Sequence, residues 1–103
     1  KRESGTAVSR TDNFLPDEFK LFQNYPNPFN PSTAIQFSIP TESYVTLRIY
    51  NSLGAELETL AASTLQPGSY KTEWNAAGHP SGVYFCRLQA GPYVQTRKLT
   101  LLK

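Results

Sequence analysis

The stretch Ala34-Ile35-Gln36-Phe37-Ser38-Ile39-Pro40-Thr41-Glu42-Ser43-Tyr44-Val45-Thr46-Leu47-Arg48-Ile49-Tyr50 decides the fold class. Ile35, Phe37 and Ile39 share one parity. After a turn at Pro40-Thr41-Glu42-Ser43, Val45, Leu47 and Ile49 repeat it, with Thr46 and Arg48 between them. Successive side chains of a strand point to opposite faces, so a period of two describes half-buried β-strands joined by a short turn. A helix needs apolar residues at about every 3.6 positions over roughly ten residues or more, and no segment offers that.

Working outward, the same signal recurs. Asn51-Ser52-Leu53-Gly54 reads as a turn, and Gln66-Pro67-Gly68-Ser69 as a stronger one. Between them Glu56-Leu57-Glu58-Thr59-Leu60 fits either a short strand or one helical turn. Tyr70-Lys71-Thr72-Glu73-Trp74 alternates, with Tyr70, Thr72 and Trp74 on one side. A loop over 75–82 leads into Val83-Tyr84-Phe85-Cys86-Arg87-Leu88-Gln89-Ala90, the most apolar strand and the expected centre of a sheet. Gly91-Pro92 turns the chain into a last strand from Tyr93 to Leu102. There Leu99 and Leu101 set an inward parity that also sends Gln95 and Arg97 inward. Either a bulge or change of partner near Arg97-Lys98 resolves this, or the first half of that face meets solvent.

Before Ala34, Phe19-Lys20-Leu21-Phe22-Gln23 is a candidate short strand. It is followed by Asn24-Tyr25-Pro26-Asn27-Pro28-Phe29-Asn30-Pro31. Each proline fixes its own φ and biases the residue before it away from the α region. The expectation is a rigid extended crossover, pinned to the body by Tyr25 and Phe29, with Asn side chains satisfying local backbone groups. Residues 1–16 are polar and aperiodic and read as a linker or the end of an upstream domain, which leaves 17–103 as the folded unit. About seven strands and no helix predict an all-β, immunoglobulin-like antiparallel β-sandwich.

Composition narrows the function classes. With 103 residues the chain is one domain. A net charge of +2, with basic residues scattered, argues against nucleic acid as a partner. No apolar run reaches the length of a transmembrane segment. No signal peptide opens the sequence, which suits either a cytosolic protein or a piece of a longer precursor. The single cysteine, Cys86, rules out an internal disulfide and reads as a small core residue. The single histidine, His79, stands in a Gly- and Pro-rich loop with nothing to orient it toward Ser81 or Cys86. The acidic residues form no calcium-loop spacing and no glycosidase pair, so no catalytic residue, metal ligand or cofactor site is assigned. Tyr44, Tyr50 and Tyr93 are the aromatics left for an exposed sugar-stacking platform, while Trp74 shares a face with Tyr70 and reads as core.

The proline stretch strongly resembles the signature of the C-terminal sorting domain, type A, of proteins exported by the type IX (Por) secretion system. Three later motifs of that family follow in order: Pro67-Gly68-Ser69-Tyr70, Ser81-Gly82-Val83-Tyr84-Phe85, and Arg97-Lys98-Leu99-Thr100-Leu101-Leu102-Lys103. The resemblance covers about residues 19–103. It implies a non-catalytic, C-terminal domain that directs an upstream passenger from the periplasm across the outer membrane, to be secreted or held at the cell surface. The implied partners are the outer-membrane secretion machinery, a sortase-like protease and the passenger itself. Residues 24–31 form its structural signature. Pro67, Gly68, Tyr70, Gly82, Val83, Tyr84, Lys98, Leu99 and Leu101 are its candidate recognition residues. Each also has a plain structural reading, as turn glycine, core tyrosine or core leucine. If the last strand lies at a sheet edge, its backbone could pair with a receptor strand, and proline at Leu99 is the obvious probe. The alternatives are a spacer or interaction sandwich of a multidomain exported protein, and a carbohydrate-binding module.

Overall fold

The computed structural model describes residues 8–10 and 15–103. Every element among them is a strand: β1 Ser9–Arg10, β2 Lys20–Leu21, β3 Ser32–Ile39, β4 Ser43–Asn51, β5 Glu56–Leu65, β6 Gly68–Asn75, β7 Gly82–Ala90 and β8 Tyr93–Leu101. Two four-stranded antiparallel sheets result, in the orders β1-β6-β3-β2 and β5-β4-β7-β8. They enclose one apolar core in an all-β sandwich.

The alternating residues do what their parity predicts. Ile35, Phe37 and Ile39 of β3 and Val45, Leu47 and Ile49 of β4 are all buried, as are Tyr70, Thr72 and Trp74 of β6. β7 lies between β4 and β8, and Tyr84, Cys86, Leu88 and Ala90 line its inner face. Trp74 fills the space between sheets against Phe29 and Tyr84, at centroid distances of 5.7 and 5.4 Å. Its indole N–H donates to Glu58 Oε1 at 2.9 Å, so its polar end is satisfied.

The ambiguous stretch after Gly54 is a strand, and its lost alternation has a cause. Pairing of β5 with β4 shifts register between Leu47 and Arg48 and again between Ile49 and Tyr50. Each bulge adds a residue that opposes nothing, so Leu60 and Ala61 are buried side by side. The strand at 19–23 shrinks to Lys20–Leu21, because Phe19 instead stacks on Tyr93 at 5.2 Å. Within the stretch read as linker, Ser9 and Arg10 pair with Lys71 and Tyr70 on the outer edge of β6; residues 1–7 and 11–14 of that stretch lie outside the described residues.

β8 is the other departure. It pairs with β7 one to one from Gly82↔Leu101 to Ala90↔Tyr93, without a bulge or a change of partner. Gln95 and Arg97 keep the inward parity and are half-buried, not solvent-facing. They turn to polar work across the gap between the sheets. Arg97 Nε donates to the Leu21 carbonyl at 2.9 Å, and the Leu21 N–H donates to Gln95 Oε1 at 3.4 Å. Leu21 is fully buried and among the described residues has no strand on that side, so its backbone would otherwise lack partners there.

Candidate functional site

The proline segment is built by three side chains more than by its aromatics. Asn24 is buried, and its amide donates to the Pro26 carbonyl at 3.1 Å and to Thr33 Oγ1 at 2.8 Å. The Thr33 hydroxyl donates to the same Pro26 carbonyl at 2.8 Å. Gln23 Nε2 donates to Asn24 Oδ1 at 2.7 Å. This knot holds the chain in its proline-dictated course, with cis peptide bonds before Pro26, Pro28 and Pro31. The expectation that Tyr25 pins the segment is wrong: its ring is 80% exposed, and only its backbone is engaged, in a bridge to Ala34. Phe29 is the true anchor, 2% exposed against Trp74.

From that anchor the segment lies along the outer edge of β8. The Phe29 N–H donates to the Thr100 carbonyl at 2.9 Å, and the Leu102 N–H to the Phe29 carbonyl at 3.0 Å. The Thr100 N–H donates to Asn27 Oδ1 at 3.0 Å, and Gln23 Nε2 to the Lys98 carbonyl at 2.9 Å. Asn27 thus satisfies a backbone group far along the chain, not a local one. Farther on, Lys103 Nζ donates to the carbonyls of Ala77 and His79 at 2.7 and 2.8 Å.

β8 therefore is an edge strand whose edge is closed over only part of its length. Strand residues alternate in the side to which they send both N–H and C=O. Thr100 sends both outward, so Lys98, Thr96 and Val94 do the same. Among the described residues, the outward backbone groups of Val94 and Thr96 have no partner. Leu99, by the same count, bonds inward to β7, and its side chain is fully buried. Proline there would cut the β7–β8 ladder, so Thr96 and not Leu99 is where the edge can be probed.

Two of the candidate recognition motifs are copies of one corner. In Gln66-Pro67-Gly68-Ser69-Tyr70 and Pro80-Ser81-Gly82-Val83-Tyr84 the tyrosine hydroxyl donates to the carbonyl four residues back, at 2.6 Å in both. Gly68 and Gly82 have φ of 157° and 154°. Gly68 also has Arg10 directly above it: a β-carbon there would sit 2.6 Å from Arg10 Nε. Both tyrosines are buried, so each corner offers its turn and not its ring to a partner.

The nine candidates do not form one patch. Gly82 stands opposite Leu101, Tyr84 opposite Leu99 and Val83 opposite Thr100, so these residues and Lys98 gather where Phe29 meets β8. Gly68 stands opposite Ile39, at the far end of β6 from the loop that leads to Gly82, and Pro67 and Tyr70 stay with it. Within the first group Gly82, Val83 and Lys98 are accessible, while Tyr84, Leu99 and Leu101 are core. The parity rule already pointed Gln95 and Arg97 inward, and polar side chains aimed at a gap between sheets were the available signal for β8's second role.

Other chemistry is weak. Burial pushes the Cys86 thiol from its ordinary 9.0 up to about 12, which suits a packed side chain and not a nucleophile. His79 packs tilted against Trp74 and edge-on against Tyr84. Of the tyrosines considered for sugar stacking, Tyr44 is exposed, while Tyr50 and Tyr93 are half-buried and Tyr93 is covered by Phe19.

The family model described as "Secretion system C-terminal sorting domain" matches residues 23–102, from Gln23 of the edge closure through Leu102. The chain belongs to this family. None of the curated proteins matches it. Sorting domains of this type IX family are non-catalytic signals, and membership implies an upstream passenger, a secretion machinery that reads the signal, and export out of the cell. The signature at 24–31 is, in this sorting domain, the piece that closes half of the β8 edge.

Proposed function

We propose that this sorting domain carries an upstream passenger from the periplasm across the outer membrane, and that the passenger is then released or fixed at the cell surface by a sortase-like protease. The match over residues 23–102 carries the reading. The sandwich at 17–103 acts as the signal, and the stretch before it joins signal to passenger.

The machinery has to read one tag behind many passengers, so it must read something on the outside of the folded domain. The open half of β8 supports backbone pairing with a receptor strand, since its outward groups at Val94 and Thr96 have no partner among the described residues. Lys98 stands beside that open stretch as an accessible contact, while Gly82 and Val83 are accessible at the other end of the β7–β8 pair, next to the closed half. Leu99, Leu101 and Tyr84 act indirectly, by holding β8 against the core. Pro67, Gly68 and Tyr70 form a second turn whose part is to seat Arg10 and the upstream segment.

The test is export of a folded reporter. The whole chain is fused behind a signal peptide and the reporter, in a bacterium with the type IX machinery. Reporter found outside the wild-type cell, but not outside a strain lacking the outer-membrane translocon, is the expected result. Periplasmic retention of the intact, folded fusion in a host that exports its own sorting domains would refute it.

A further inference from the structure

The two sheets present unlike outer faces. On the first, the outward residues of β3 and β6 are small or neutral, apart from Lys71 and Glu73 on the same strand. On the second, the outward parity collects Tyr44, Arg48 and Tyr50 of β4, Phe85 and Arg87 of β7, and Lys98 of β8.

Register sets Arg48 directly opposite Arg87, and Arg87 directly opposite Thr96. Like charges facing each other across a strand pair cost stability. Arg48 is relieved by Glu56, with Nε to Oε2 at 3.5 Å. Arg87 is exposed, and among the described residues it has no ion pair or hydrogen bond. It lines a groove of about 330 Å³ with Tyr50, Ser52, Phe85 and Thr96, and no carboxylate borders that groove. Among the described residues the fold thus keeps a cation without a partner, beside the stretch of β8 whose outward backbone is open.

A strand added to that edge continues the row Arg48–Arg87–Thr96 by one position. Its residue opposite Thr96 lies two strand spacings from β7, roughly 10 Å, a gap that an arginine and an acidic side chain span between them. Lys98 stands two residues along β8 on the same face. A guanidinium presents paired N–H donors that match the two oxygens of a carboxylate, and aromatic residues beside an arginine are the usual make-up of a protein-binding surface.

We propose that the strand which pairs with the open half of β8 belongs to a protein partner and carries Asp or Glu opposite Thr96, held by Arg87 and Lys98. This rests on the edge-pairing reading given above.

The experiment is the same export assay with three variants of the whole chain, each checked for an unchanged melting temperature. Arg87 is exposed and has no ion pair or hydrogen bond among the described residues, so its variants are expected to keep the fold. Arg87→Glu is expected to lower export by about tenfold or more, because a like charge at a docking surface is rejected. Arg87→Lys keeps the charge and is expected to retain most of the export. Wild-type export by Arg87→Glu, or a loss as deep in Arg87→Lys, overturns the proposal. Thr96→Pro separates the levels. If Thr96→Pro is exported normally, edge pairing itself fails, whatever Arg87 does. A photo-crosslinking residue at Val94 then identifies the source of the charge. Joining to a peptide that contains Asp or Glu is expected; joining to a glycolipid, or to a peptide without either, overturns it.

Discussion

The outer edge of β8 has two unlike halves. From the Lys98 carbonyl to Leu102 the edge is closed by Gln23, Asn27 and Phe29. At Val94 and Thr96 it is open among the described residues, while the side chains of Gln95 and Arg97 between and beside them are occupied on the inner face. An exposed edge is a template for pairing with any other strand, and proteins ordinarily blunt it. Here the proline signature blunts one half and leaves the other. The difference teaches what the signature does to the strand: it covers one end of the β8 edge and anchors it, and in the reading proposed above it thereby confines pairing to a short register.

The comparison breaks most easily at Phe29. Phe29→Ala removes the anchor of the closed half from a site that is 2% exposed, and a loss of about 3–5 kcal/mol is expected in denaturant unfolding. Amide exchange at Leu102 should rise with it, because that N–H bonds to the Phe29 carbonyl. A stable Phe29→Ala domain with a protected Leu102 amide would mean that the closure does not depend on the anchor.

A smaller effect is expected on the inner side of the same strand. Arg97→Leu leaves the buried Leu21 carbonyl without its donor, at a cost of about 1–3 kcal/mol. β2 should loosen and β8 should not. Faster exchange at Phe22, whose N–H bonds to Gln36, with Leu102 unchanged, is the expected pattern. Equal loosening of both would show that the two sides of β8 are not separable.

The smallest effect belongs to Asn27. Asn27→Ala removes one exposed acceptor from the Thr100 N–H, worth about 0.5–1.5 kcal/mol. It converts part of the closed half to open, so the Thr100 amide alone should exchange faster. If Phe29 accelerates as well, Asn27 organises the whole segment and does not merely cap one group.

The sandwich was legible wherever packing has a period. β3, β4, β6 and β7 each bury alternate residues, and their faces could be read from parity alone. β5 could not be read, because two bulges interrupt its alternation, and nothing in Glu56–Leu60 announces an extra residue. The polar half of β8 was misjudged for a different reason. Gln95 and Arg97 point inward as their parity requires, but their partner is the backbone of Leu21, more than seventy residues away in the chain. Tyr25 lost its expected anchoring role for the same reason, while Asn24 satisfies the local Pro26 carbonyl as expected and also holds Thr33. Burial of an aromatic is a fair guess from composition, whereas an asparagine–threonine–carbonyl knot depends on bonds that form only once Thr33 has been brought beside Pro26. The recognition motifs were legible as motifs, but their separation into two groups at opposite ends of the molecule needed the register.

The most direct test of the open edge is export of Thr96→Pro. The Thr96 N–H points away from β7, and proline is tolerated at edge positions whose N–H faces solvent. The variant is expected to fold, with a melting temperature close to that of the wild type, and to leave its reporter in the periplasm. A folded Thr96→Pro domain that is exported at the wild-type level would contradict the reading that the machinery pairs with β8.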